Sequence, residues 1–128
     1  MSSIQVADQT FVAAPGAAVA DVLADRARWR RWWPDLTLAV REDRADKGIR
    51  WTVSGPVTGT MEVWLEEMLD GVILHYFMHA EPPSSTNFSM RDLAAANRAR
   101  RVAGRKMAFE IKARLEAGRP AGVAPAAV

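Results

Sequence analysis

From Pro34 onward, the apolar residues of this chain fall on every second position. "LTLAVRED" sets Leu36, Leu38 and Val40 against Thr37, Ala39 and Arg41. "GIRWTVSG" sets Ile49, Trp51 and Val53 against Arg50, Thr52 and Ser54. "TGTMEVWLEEML" puts Met61, Val63 and Leu65 on one side and Glu62, Trp64 and Glu66 on the other. "DGVILHYFMHAEP" does the same with Val72, Leu74, Tyr76 and Met78 against Ile73, His75, Phe77 and His79. A period of two turns one face of an extended strand toward a core and the other toward water. Four such stretches in succession predict an antiparallel meander. Asp70-Gly71 supplies the hairpin signal between the last two. A sheet with one apolar face needs a cover.

The flanking segments supply that cover. "IQVADQTFV" (4–12) reads as a further strand. Pro15 and Gly16 break it, and Val19, Val22 and Leu23 then recur at helical spacing. "RARWRRWW" (26–33) predicts a second short helix, stopped by Pro34. "PPSSTNFS" (82–89) reads as a loop. Ser89 then offers an N-cap with Asp92 at the third helical position, and a long helix runs to about Ala117. One face of that helix carries Leu93, Asn97, Arg100, Gly104, Met107, Ala108, Ile111 and Leu115. The expected architecture is α+β. It has about five to six antiparallel strands, two short helices after the first strand, and a long C-terminal helix on the sheet. Residues 1–117 form one domain in this reading, and the Gly/Pro/Ala-rich residues 118–128 form a flexible tail.

Composition narrows the function classes. There is no cysteine, so disulfides, thiol catalysis and thiolate metal sites are excluded. "MSSIQVADQT" has no basic start followed by an apolar stretch, and no apolar run approaches the ~20 residues of a membrane span. The expectation is a cytoplasmic protein. Seventeen basic residues face fifteen acidic ones, for a net charge of +2. That balance argues against a dedicated nucleic-acid binder, which needs a basic footprint. Fourteen of the basic residues are arginine, in keeping with GC-rich coding.

Several residues are candidates for chemistry. Trp29, Trp32 and Trp33 stand among four arginines. They pack the short helices onto the sheet, line the rim of a cavity, or meet a membrane surface; Pro34 leaves little helix for the last. His75 and His79 lie about 13 Å apart along a strand, too far to share a metal, so no metal site is expected. Tyr76 on an apolar inner face needs a hydrogen-bond partner if buried. It is either a core tyrosine or a ligand-facing hydroxyl. Asn97 and Arg100 fall on the inner helical face, where a charge must be paired or wet. Arg100 either meets Asp8 at the polar end of a cavity or snorkels to solvent. Arg98, Arg101, Arg105, Lys106 and Lys112 are expected on the outer face of the helix, beside Val102 and Phe109. With Trp64, Ile73 and Phe77 outward on the sheet, a homodimer through the convex face is one expectation. No Ser-His-acid arrangement and no phosphate-cradling glycine loop is visible, and no cofactor is called for.

These features resemble a known family. "FVAAPGAAVADVL", "WRRWWPDL", "LDGVILHYF" and the closing helix follow one another in the order seen in the SRPBCC superfamily. This is the START-like, birch-pollen-allergen-like helix-grip group that includes polyketide cyclases and lipid-transport proteins. The resemblance covers residues 4 to about 117. It implies a curved sheet gripping the C-terminal helix, with a cavity between them. The family usually has six or seven strands and five are counted here, so one or two look missing or shortened. The implied function is binding, and with it transport, of a small hydrophobic or amphipathic molecule such as a lipid, a polyketide or an isoprenoid. The expected ligand-binding residues are Trp33, Trp51, Tyr76, Met78, Asn97, Arg100, Gly104 and Met107, with Leu38, Val63 and Leu74 as further wall. The alternatives are a cyclase-type enzyme, with Tyr76 or Asp8 moving a proton and Arg100 holding an enolate, and a protein-interaction module with a filled core.

Overall fold

The structure is a computed structural model that describes residues 3–83 and 87–117. The expected tail at 118–128 and the middle of the 82–89 loop lie outside the described residues. Strand β1 (Ile4–Val12) leads into helices α1 (Gly16–Leu23) and α2 (Arg26–Trp32). Strands β2 (Thr37–Asp43), β3 (Gly48–Ser54), β4 (Thr58–Met68) and β5 (Gly71–Glu81) follow, and helix α3 (Met90–Leu115) closes the fold. The five strands form one curved antiparallel sheet in the order β1-β5-β4-β3-β2. All four strands of the meander form, and the described residues contain five strands.

Alternation governs the sheet. Ile4, Val6 and Val12 of β1, Met61, Val63 and Leu65 of β4, and Val72, Leu74, Tyr76, Met78 and Ala80 of β5 are buried on one face. The pattern weakens in β2. Leu38 is half-buried and Val40 is exposed, although the sequence pattern points both inward. The reason is position: β2 is the sheet's edge, and a bulge between Val40 and Glu42 shifts its register on β3.

The β4–β5 hairpin also differs by one residue from the sequence signal. Met68 pairs with Gly71, so Leu69 and Asp70 form the turn. Leu69 sits at φ +53 and is 93% exposed. Gly71 serves a different purpose, since a Cβ there would lie 2.2 Å from the Val12 carbonyl oxygen. The glycine thus lets β1 lie close against β5. A branched side chain held in the left-handed region costs about 1–2 kcal/mol. Leu69→Gly is therefore expected to raise stability by about 1 kcal/mol, read as a higher midpoint in urea unfolding. An unchanged midpoint would mean the turn is relaxed in solution.

Helix α3 starts on the expected capping box. The Ser89 hydroxyl accepts from the Asp92 amide, and the Asp92 carboxylate accepts from the Ser89 amide, both at 3.1 Å. The helix buries Gly104, Met107, Ala108 and Ile111 against the sheet and runs along β1. Asn97 and Lys112 of the helix, and Glu116 at its C-cap, bond the outward backbone along that edge strand. Asn97 accepts from the Gln5 amide at 3.0 Å and donates to the Ser3 carbonyl at 3.2 Å. Lys112 donates to the Phe11 carbonyl at 2.8 Å, and Glu116 accepts from the Ala13 amide at 2.8 Å. Edge strands expose unpaired backbone groups unless something covers them; here α3 covers β1.

Candidate functional site

The space between sheet and helix is filled with aromatic and sulfur-bearing side chains. Trp51 of β3 is fully buried, and Trp33, just after α2, is 1% exposed. Their rings meet edge-on at 5.5 Å. Trp29 meets Trp51 at the same distance, and Trp33 stacks on Tyr76 at 6.3 Å. Tyr76 lies flat against α3, where Gly104 leaves room for it. A Cβ at position 104 would stand 2.4 Å from the Tyr76 Cε2. Met78 and Met107, both fully buried, close the remaining space. All three tryptophans of "RARWRRWW" therefore point into the core, and the segment's arginines are its wet side.

Six of the eight predicted ligand-binding residues come together here: Trp33, Trp51, Tyr76, Met78, Gly104 and Met107. They do so as packed core. The Tyr76 hydroxyl donates toward sulfur, to Met61 Sδ at 3.2 Å and Met78 Sδ at 3.8 Å. Burial pushes its pKa far above the ordinary phenol value, against the smaller opposing effects of the Arg100 charge and the Trp33 indole. The indole N–H groups of Trp32, Trp33 and Trp51 are buried without an acceptor at hydrogen-bond geometry among the described residues.

Asn97 and Arg100 stand apart from this cluster. Asn97 is spent on β1, as described above. Arg100 makes a two-pronged pair with Asp35, at 3.0 and 2.7 Å. Asp8 was one of two expectations for Arg100, the other being solvent; it pairs instead with Arg105 at 3.2 Å. The cause is helical phase. Arg100 lies toward the α2 side of α3, and Arg105 leans toward β1. His75, on the outer sheet face, bonds Glu66 at 2.9 Å and stacks on Trp64 at 4.6 Å and Phe77 at 6.1 Å.

The Asp35–Arg100 pair has a pH signature. Hydrogen bonding to Arg100 holds the Asp35 carboxyl below its ordinary 3.8. A native pKa lower than the unfolded one adds stability that is present above about pH 4 and lost as pH falls through the native value. Asp35→Asn is expected to cost about 1 kcal/mol near neutrality, since the carboxylate is half open to solvent. The gap between wild type and variant should close on acidification. Denaturant curves at pH 7 and pH 3 check this, and a gap that persists at low pH contradicts it.

A roomy opening lies outside this core, between the end of α2 and the middle of α3. It holds about 540 Å³. Trp32, Pro34, Ala95, Ala99, Val102 and Ala103 form its floor, and Arg31, Arg98 and Lys106 its rim. Arg31 is tied to Glu110, whereas Arg98 and Lys106 make no ion pair among the described residues. The sequence held a signal for this groove. Ala95, Ala99, Val102 and Ala103 follow at helical spacing on a face that otherwise reads as basic, and Trp32 and Pro34 end the preceding helix. None of these residues has a side chain that announces chemistry, so the pattern passes as helix surface.

No family model matches the chain, and no curated protein matches it in sequence. The backbone does find counterparts. The Aha1 dimer structure from Colwellia psychrerythraea superimposes with a TM-score of 0.62 at 13% identity, covering 91% of this chain and 99% of that one. The polyketide-cyclase-like protein Cgl2372 from Corynebacterium glutamicum gives 0.62 at 16% identity, covering 91% and 93%. The chain shares the helix-grip fold of these structures. CalU16 from Micromonospora echinospora shares it, with a TM-score of 0.60 at 15% identity over 84% of this chain and 75% of that one. In this helix-grip chain the grip is closed: aromatic side chains occupy the space between sheet and α3. Among the described residues no helix is long and apolar enough to cross a membrane.

Proposed function

We propose that this helix-grip protein binds a small amphipathic molecule, an apolar body with an anionic head, in the groove between α2 and α3. The observation that carries the reading is the lining: an apolar floor on Trp32, Pro34 and Val102 beneath Arg98 and Lys106, cations with no ion pair among the described residues. Pockets for small molecules combine apolar walls with a few placed polar groups, in volumes of roughly 300–1,000 Å³. The groove's size and makeup fit a fatty-acid-like or polyketide-like carboxylate. Binding deep between Trp33, Tyr76 and Met107 would require α3 to part from the sheet, so the groove is the favoured seat.

Oleate and oleyl alcohol test this, since they share a chain and differ in head group. Oleate is expected to raise the melting temperature more than the alcohol does. Lys106→Glu should weaken oleate binding about tenfold, the equivalent of one lost charge-assisted contact. No stabilisation by either compound, or an unchanged oleate affinity in the variant, overturns the proposal. Cyclase-type turnover has less support. The Tyr76 hydroxyl is sealed against methionine sulfur, and Asp8 is engaged by Arg105.

A homodimer through the convex sheet face is a second reading, favoured by the Trp64–His75–Phe77 stack with Trp64 39% exposed. The counterpart from Colwellia is itself described as a dimer. Sedimentation should show a dimer that Trp64→Glu splits. A clean monomer at micromolar concentration counts against this reading.

A further inference from the structure

The net charge of +2 conceals a strong segregation. Helices α2 and α3 together carry twelve basic residues and two acidic ones. The five strands carry two basic and seven acidic ones. Chain-wide balance therefore does not mean an even surface. Five of the twelve helical cations are tied to carboxylates: Arg28, Arg31, Arg100, Arg105 and Lys112. The other seven have no ion pair among the described residues.

The outward stripe of α3 is arranged for more than solubility. Arg91, Arg98, Val102, Arg105 and Phe109 recur at intervals that place them along one line of the helix, with Lys106 beside them. Gly104, Met107, Ala108 and Ile111 occupy the opposite, buried side. Val102 is 41% exposed and Phe109 49% exposed, each set between cations. The Arg105 guanidinium lies over the Phe109 ring at 5.6 Å. The apolar groove of Trp32 and Pro34 borders the same stripe.

We infer that the α2–α3 face docks on the surface of an anionic lipid bilayer. Cations at this density are drawn to a negatively charged leaflet. Phe109 and Val102 supply apolar contacts at the depth where head groups meet hydrocarbon. A nucleic-acid backbone would use the cations and leave those two side chains idle. The inference goes beyond ligand binding and stands without it: Arg98, Val102 and Lys106 are shared with the groove, but the charge segregation and Arg91, Arg105 and Phe109 lie outside it.

Vesicle flotation tests it. Vesicles of phosphatidylcholine with phosphatidylserine are compared with phosphatidylcholine alone, at low and high salt. The expected result is at least about tenfold more protein on the anionic vesicles, a preference lost in high salt. Arg91→Glu, on the stripe and outside the groove, should reduce flotation several-fold. Phe109→Ser should reduce it several-fold at constant charge. Circular dichroism of each variant separates loss of binding from loss of fold. No flotation, equal flotation on neutral vesicles, or flotation indifferent to Phe109→Ser overturns the inference. So does duplex DNA that binds as tightly as the anionic vesicles and is unaffected by Phe109→Ser, which would assign the face to nucleic acid. Oleate titration of the same variants reads the groove separately, so either idea can fail alone.

Discussion

Trp51→Ala is expected to cost about 3–5 kcal/mol of folding stability, while Trp51→Phe stays within about 1 kcal/mol of wild type. The first number follows from burial. Trp51 is fully enclosed and meets both Trp29 and Trp33 edge-on at 5.5 Å, so truncation empties the middle of the core. The second follows from the indole N–H, which is buried with no acceptor among the described residues. An unsatisfied donor costs about 1–3 kcal/mol in the wild type. Phenylalanine removes that donor along with part of the ring, and the two effects oppose each other. Urea unfolding of the three proteins checks the ordering. Equal losses for the two variants would show that the N–H is satisfied in solution. A loss of this size is large beside a typical total stability of roughly 5–15 kcal/mol, so Trp51→Ala should also lower soluble yield.

Gly104→Leu is expected to cost about 3 kcal/mol, by crowding rather than by a cavity. Leucine is the better helix former by close to 1 kcal/mol, so propensity alone predicts a gain. Packing reverses the sign. The first added carbon would already stand 2.4 Å from the Tyr76 ring, which has the sheet behind it. Tyr76→Ala alone opens a hole and is destabilising too. In the double variant the leucine enters the space the ring leaves. The two losses should therefore fail to add, with a coupling of about 1 kcal/mol or more in a double-mutant cycle. Additive losses would mean that ring and glycine do not touch.

Most of the fold was legible because a period of two is hard to mistake when it persists through four strands. The capping box at Ser89 and the break at Pro34 fixed where the helices start and stop. The misreadings share one cause: information that depends on a neighbour in space. Val40 fits the alternation but lies on an edge strand with a bulge. Gly71 reads as a turn residue, yet its partner is the Val12 carbonyl. Asp8 and Arg100 each carry a charge to be matched, and only the rotation of α3 decides that Asp8 takes Arg105 and Arg100 takes Asp35. The site was less legible still. Trp33, Trp51 and Tyr76 were visible as inward-facing groups, but pattern alone does not separate a wall from a filling. That distinction depends on volume, and here three large rings use it up. The basic face was hidden for a related reason. Counting charges over the whole chain averages strands against helices that lie on opposite sides of the molecule.

The covering of β1 by α3 limits how copies of this protein can assemble. Asn97 and Lys112 hold the outward carbonyls of Ser3 and Phe11, and Asn97 and Glu116 engage the amides of Gln5 and Ala13. An incoming strand would have to displace a helix that is itself part of the core. Among the described residues, β2 at the far margin is the edge strand with no helix laid along it. A block with one adhesive side pairs with another like it and then stops. Strand addition at the sheet margin therefore pairs copies through β2, and extending the sheet past β1 would first have to unseat α3.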